Sequence, residues 1–256
     1  MLDKLIELFN KNEFYKVIDE CEEILSKPEN LDDTITVNTY NILGLAHFNI
    51  NDFDKSIEVF SKAISLNDKL WVIHNNLANT HRVMRNNELA FSSYDTAIKL
   101  DKDAGMPYFG KGLLCIANDD LENACNLFKT SIDKDPTFYE NYTKLFKCLY
   151  KLNKVDEARN LLDTALSSCT PSDNFYKDLA KCYQDDGNFD LAFKYYKDAL
   201  SINKNNNEVY YAIAELYIRF DKFNEGIEYF ELLISKNSSN PYMYFSICLI
   251  FNSLND

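Results

Sequence analysis

The sequence predicts an all-α chain, a solenoid in which antiparallel helix pairs stack one on the next. Three observations carry this. First, columns of like residues recur at one fixed spacing: Ala63-Ile64, Ala97-Ile98, Ser131-Ile132, Ala165-Leu166 and Ala199-Leu200 stand 34 residues apart without a slip. Two further columns share that period, a mostly small one (Gly44, Ala78, Gly112, Phe146, Ala180, Ala214) and a bulky one (Phe60, Tyr94, Phe128, Leu162, Tyr196, Phe230). A fixed period of this length is the mark of a repeat architecture. Second, the 256 residues include only 6 Gly and 5 Pro, too few turn formers for a sheet protein of this size. Third, apolar residues inside each period fall three and four apart, the spacing of one helix face.

Each element follows from that spacing. A degenerate first repeat covers about 1–31, with Phe14, Val17 and Cys21 at second-helix positions, and 29–36 is a slightly long connection. The next unit, 37–70, sets Tyr40, Leu43, Gly44 and His47 on one face of a first helix. Asn51-Asp52-Phe53 makes the turn, and Ser56, Ile57, Phe60, Ala63 and Ile64 line a second helix. Units 71–104, 105–138, 139–172, 173–206 and 207–240 repeat the plan, and 241–256 supplies one closing helix. Neither helix of a pair can bury its apolar stripe alone, so each pair must stack on its neighbours. Small residues at the Gly44 and Ser56 positions predict close approach within a pair, and the Phe60 column is expected to fill the gap to the next pair. Three positions depart from their columns: Lys111 stands among Leu and Ile, Phe146 among small residues, and Gly226 where Ala is usual. The last costs on the order of 1 kcal/mol inside a helix.

These columns resemble the tetratricopeptide-repeat (TPR) family, whose pattern is Trp-x2-Leu-Gly-x2-Tyr, then Ala-x3-Phe-x2-Ala, then Pro. The residues that carry the likeness are Tyr40-Leu43-Gly44-His47-Ser56-Phe60-Ala63 and Tyr176-Leu179-Ala180-Tyr183-Ala192-Tyr196-Ala199. Tyr108, Gly112, Cys115, Ala124, Phe128 and Pro136 give a third set, and Tyr210, Ala214, Tyr217 and Phe230 a fourth. The resemblance spans nearly the whole chain as a single domain, 1–256. It implies a right-handed α–α superhelix that works as a protein-interaction scaffold or adaptor, gripping a peptide or helix in a concave groove. A non-catalytic regulatory or substrate-recruiting subunit of an enzyme complex is the alternative.

No chemistry of catalysis is written in the motifs. His47 and His81 occupy the column of Tyr183 and Tyr217, and His74 that of Tyr40 and Tyr176, so packing accounts for all three. HExxH, CxxC, phosphate-loop, GxSxG and calcium-loop patterns are lacking, so neither a metal, a cofactor nor an enzymatic role is expected. Asp32-Asp33, Asp119-Asp120 and Asp185-Asp186 sit at turns or linkers, where helix capping explains them. The formal net charge of −13, from 40 acidic and 27 basic residues, argues against a nucleic-acid partner. Seven scattered cysteines outside any CxxC pair suit a reducing, cytoplasmic setting. No signal peptide is visible at 1–10, and 242–251 is too short to span a bilayer, so no membrane association is expected.

Carried over position by position, the family's groove would be lined by Asn38, Asn41, Asn75, Asn79, Arg82, Phe109, Leu113, Thr143, Lys147, Lys151, Lys177, Lys181, Tyr211 and Glu215. The carboxamides could bond an extended backbone without demanding one sequence. Further along, Lys144, Lys147 and Lys151 lie on one helix, and Lys177 and Lys181 on the next first helix. These five lysines predict a cradle for an acidic peptide or a terminal carboxylate. The carboxylate clamp of chaperone-binding members is not matched, because Asn41, Leu45 and Asn76 are followed by Met106 and Gly110. The closing helix is apolar almost all round, and Tyr242, Phe245, Leu249 and Phe251 are expected to form an interface, with a second copy or with a partner.

Overall fold

The computed structural model describes residues 2–27, 31–168 and 172–235. Every regular element among them is an α-helix. The chain divides into two compact units, residues 1–135 and 136–256. Four helix pairs make the first unit: α1 (Leu2–Asn10) with α2 (Phe14–Leu25), α3 (Asp33–Asn49) with α4 (Phe53–Leu66), α5 (Trp71–Val83) with α6 (Asn87–Leu100), and α7 (Gly105–Ala117) with α8 (Leu121–Lys134). Three pairs are described in the second: α9 (Tyr139–Lys151) with α10 (Val155–Ser168), α11 (Asp173–Asp185) with α12 (Phe189–Ile202), and α13 (Asn207–Arg219) with α14 (Phe223–Ser235). Within each unit a helix packs on its own partner and then on the pair beside it. The closing-helix residues Tyr242, Phe245, Leu249 and Phe251 lie outside the described residues.

The turn inside each pair is built one way seven times. Asn12, Asn51, Arg85, Asp119, Asn153, Gly187 and Asp221 have positive φ, between 57° and 76°. The residue after each donates its N–H to the carbonyl five positions back, as Asp52 does to His47 at 2.9 Å and Asn188 to Tyr183 at 2.8 Å. This is the Schellman termination, which satisfies carbonyls the helix end would leave unpaired. Six of these seven positions follow the 34-residue period from 51 to 221; the first stands apart because the connection after α2 is longer.

The joints between pairs are latched from the next helix. Tyr108 donates its hydroxyl to Lys102 O at 3.3 Å, Tyr142 to Pro136 O at 3.0 Å and Tyr210 to Lys204 O at 3.2 Å. His74 Nε2 meets Asp68 O at 2.9 Å. In each case the side chain reaches the carbonyl six residues before it. Polar ties between neighbouring pairs add to this, among them Lys134–Asp103 at 2.6 Å and Asn203 and Asn206 on Asp173 at 2.9 and 2.8 Å. Those two amides hold the Asp173 carboxyl below the usual carboxylate range.

The small column brings paired helices together. A Cβ built on Gly44 would stand 2.6 Å from the Phe60 ring, and one on Gly112 would stand 2.7 Å from the Phe128 ring. Ser56 donates its hydroxyl to Gly44 O at 3.0 Å across the same joint. The bulky column was expected to fill the gap to the next pair, and Phe60 clusters with Ile73 and Tyr94 packs on Gly110 of the pair that follows. Phe60 and Phe128 also cover Gly44 and Gly112 of their own pairs, a contact the spacing did not predict. Phe146 breaks the small column, and its opposite number is the bulky column's least voluminous member, Leu162. The two line one cavity of about 10 Å³, so the exchange of sizes is compensated. Lys111 is settled by an ion pair with Asp95, and its ammonium lies 5.3 Å from the Phe91 ring centre.

Candidate binding surfaces on the first helices

Side chains of the first helices line two open cavities. In the first unit a cavity of about 230 Å³ is lined by Leu45 and Phe48 of α3, Asn76, Asn79 and Arg82 of α5, and Met106, Phe109, Gly110 and Leu113 of α7. In the second, a cavity of about 460 Å³ is lined by Lys147, Tyr150 and Lys151 of α9 together with Asp178, Lys181, Cys182, Asp185 and Asp186 of and beside α11.

Of the carboxamides and arginine singled out from the sequence, Asn79 and Arg82 line the first cavity. Asn41 stands behind it, its Oδ1 accepting from Asn76 Nδ2 at 2.9 Å. Asn38 is half-buried and lines neither cavity. Asn75 is only 5% exposed, against the expectation of a surface position; its Oδ1 is enclosed and unpartnered. It does not line the cavity. The groove residues that the motif pattern did not supply are Leu45, Phe48, Asn76, Met106 and Gly110. The signal that could have found them was the glycine at 110, whose equivalents one period away are Asn76 and Lys144.

The lysines divide. Lys147, Lys151 and Lys181 share the second cavity, but three aspartates share it with them, so the site is mixed in charge rather than basic. Lys147 pairs with Asp178 at 3.1 Å. Lys177 is bound to Glu208 at 2.6 Å and does not join the cavity. Lys144 is half-buried outside it. Lys151 and Lys181 are exposed and have no carboxylate partner among the described residues.

The remaining polar groups serve structure. His47 and His81 are buried in the first-helix core, as their column implies. His47 Nδ1 lies 3.3 Å from Asp52 Oδ2 without hydrogen-bond geometry. Burial disfavours the charged imidazole of His81 and lowers its pKa. Asp32 caps α3 through Ile35 N at 2.7 Å, and Asp120 caps α8 through Asn123 N at 3.3 Å. Asp185 and Asp186 differ, since they stand at the carboxyl end of α11, where negative charge is disfavoured. Arg219, one period on, offsets Asp185 at 3.1 Å. Cys21, Cys115 and Cys182 are free thiols, and burial pushes Cys21 and Cys182 up to about 12, leaving little thiolate for chemistry. Among the described residues no group of three or more His, Cys, Asp and Glu is placed to hold a metal ion. Among the same residues, no helix is long and apolar enough to cross a membrane.

Helix pairs of fixed period, closed by seven like turns, with open cavities on their first helices, define a repeat array of the kind that generally serves protein–protein interaction. The chain belongs to the tetratricopeptide-repeat family. A family model described as "Psidin, N-terminal TPR repeats region" matches residues 114–252, and a "Tetratricopeptide repeat" model matches residues 37–70. No curated protein matches the sequence. Among solved structures, the chain is similar to one in the APC/C hetero-tetramer Cut9-Hcn1, at 16% identity and a TM-score of 0.68, with 96% of this chain and 48% of that one covered. It therefore spans about half the length of that relative. A tetratricopeptide repeat protein from Parabacteroides merdae is similar at 13% identity and a TM-score of 0.69, with 98% and 97% of the two chains covered. YrrB, described as a TPR protein with an unusual peptide-binding site, is similar at 19% identity and a TM-score of 0.51, with 74% and 98% covered. At these identities the likeness establishes the fold.

Proposed function

We propose that this chain is a scaffold or adaptor that grips a segment of another protein on its first-helix surfaces. The observation that supports this most directly is the pair of open cavities, each lined mainly by first-helix side chains. In the second unit Lys151 and Lys181 supply the available charge, since Lys147 and Lys177 are committed to Asp178 and Glu208. A cytoplasmic setting belongs to the same proposal and is supported by the free thiols of Cys21, Cys115 and Cys182.

Affinity capture followed by quantitative mass spectrometry tests the reading. Wild-type chain is compared with a Lys151→Glu, Lys181→Glu variant, both substitutions being at exposed positions that leave the core intact. The expected outcome is loss of a defined subset of bound proteins by the variant. An identical bound set would remove the second-unit cavity from the function. A catalytic chain recovered in stoichiometric amount with the wild type would place the array as a recruiting subunit of an enzyme complex instead of a free-standing adaptor.

A further inference from the structure

The first-unit groove permits a sharper statement, one that rests on the binding reading above. We propose that it takes an extended peptide segment in which a carboxylate side chain stands beside a bulky apolar one. Arg82 receives the carboxylate, and Asn76 and Asn79 bond the backbone.

The two carboxamides are oriented by partners of their own. Tyr94 donates its hydroxyl to Asn79 Oδ1 at 2.7 Å, which leaves Asn79 Nδ2 as a donor. Asn76 spends Nδ2 on Asn41 Oδ1 at 2.9 Å, which leaves Asn76 Oδ1 as an acceptor. The hydrogen-bond network thus assigns both amide orientations. Three residues apart on α5, the two lie on one face and present one donor and one acceptor, the complement of a peptide group. A helical ligand would have its own backbone groups already paired, so this arrangement favours an extended one.

Arg82 continues the same row by three residues. Its guanidinium already interacts with the Tyr94 hydroxyl, but its Nε is enclosed without a hydrogen-bond partner and no carboxylate pairs with it among the described residues. Arg159 and Arg219, by contrast, each have an aspartate. In a chain of net charge −13, an arginine held in an apolar groove without an acid calls for one from outside. Gly110 of α7 lines the groove and packs against the Tyr94 ring. A Cβ there would stand 2.4 Å from Tyr94 Cε1, so only glycine admits the ring that holds Asn79. Leu45, Phe48, Met106 and Leu113 wall the remaining space, about 230 Å³ in all, which suits a Leu, Ile, Met or Phe side chain of the ligand.

The test uses the full chain. A displayed library of random linear peptides is selected on it, and the enriched peptides are synthesised with fluorophores for anisotropy titration. Each is paired with a version in which its Asp or Glu becomes the amide. The expected result is enrichment of Asp or Glu close to a bulky apolar residue. Arg82→Gln should weaken the acidic peptide by roughly tenfold or more and abolish its advantage over the amide version. Met106→Glu, at a groove position 42% exposed, should weaken the same peptide by repulsion, which keeps the test open should Arg82→Gln disturb Tyr94 and the fold. Enriched peptides that are apolar without an acid, or basic, would overturn the proposal while leaving groove binding intact. So would an acid preference that survives both substitutions. If no peptide is enriched at all, the proposal falls and the binding reading for this unit falls with it.

Discussion

At the scale of single residues, the fold turns on paired sizes. Gly44 exists for the Phe60 ring and Gly112 for the Phe128 ring, each with no room for a methyl group. Adding one should force the ring aside and cost about 1–3 kcal/mol. The Phe146–Leu162 exchange shows that the same joint also closes with the large residue on the other helix. Gly44→Ala with Phe60→Leu should therefore cost less than the sum of the two single substitutions, a coupling that urea unfolding of the four variants measures. Simple addition would mean the ring and the glycine do not share a joint. Such pairing was partly legible in the sequence. The two columns stood out by their period, but the period alone does not say whether a ring covers its own pair or the next. That depends on where the helix places the ring's χ1 direction, which spacing does not carry.

At the scale of elements, the turns show how much a backbone position can matter when its side chain does not. Of the seven turn residues with positive φ, three are Asn, two Asp and one Gly, types that tolerate the left-handed region. Arg85 is the misfit, an exposed arginine at φ 62°. Arg85→Gly should stabilise the chain by about 1 kcal/mol, less some backbone entropy regained in the unfolded state. Thermal unfolding of the two proteins checks it, and an unchanged or lower midpoint would show that Arg85 contributes a compensating contact. The same scale explains why the lysine cradle was only partly legible. Lys147 and Lys177 find acids 31 residues on, at Asp178 and Glu208, through the stacking of pairs. Identical spacing would have let these acids remain apart from the lysines had the stack been wound differently. Asn75 illustrates the limit from the other side: it shares a column with the groove residue Phe109, yet it is enclosed.

For the molecule as a whole, stability in a repeat array is a sum of pair and neighbour terms rather than one cooperative quantity. The two compact units, 1–135 and 136–256, give that sum a natural division. The only tryptophan, Trp71, opens α5 and reports on the first unit alone, whereas far-UV circular dichroism reports every helix. The two urea curves are expected to have different midpoints; coincident curves would show one all-or-none transition. The latches at Tyr108, Tyr142, Tyr210 and His74 add a constraint of another kind. A side chain that must touch the carbonyl six places behind it works as a length gauge. Any substitution in the joint keeps the count, while one inserted or deleted residue moves the carbonyl out of reach. Change in this protein should therefore accumulate at its joints by replacement, and grow only in whole repeats.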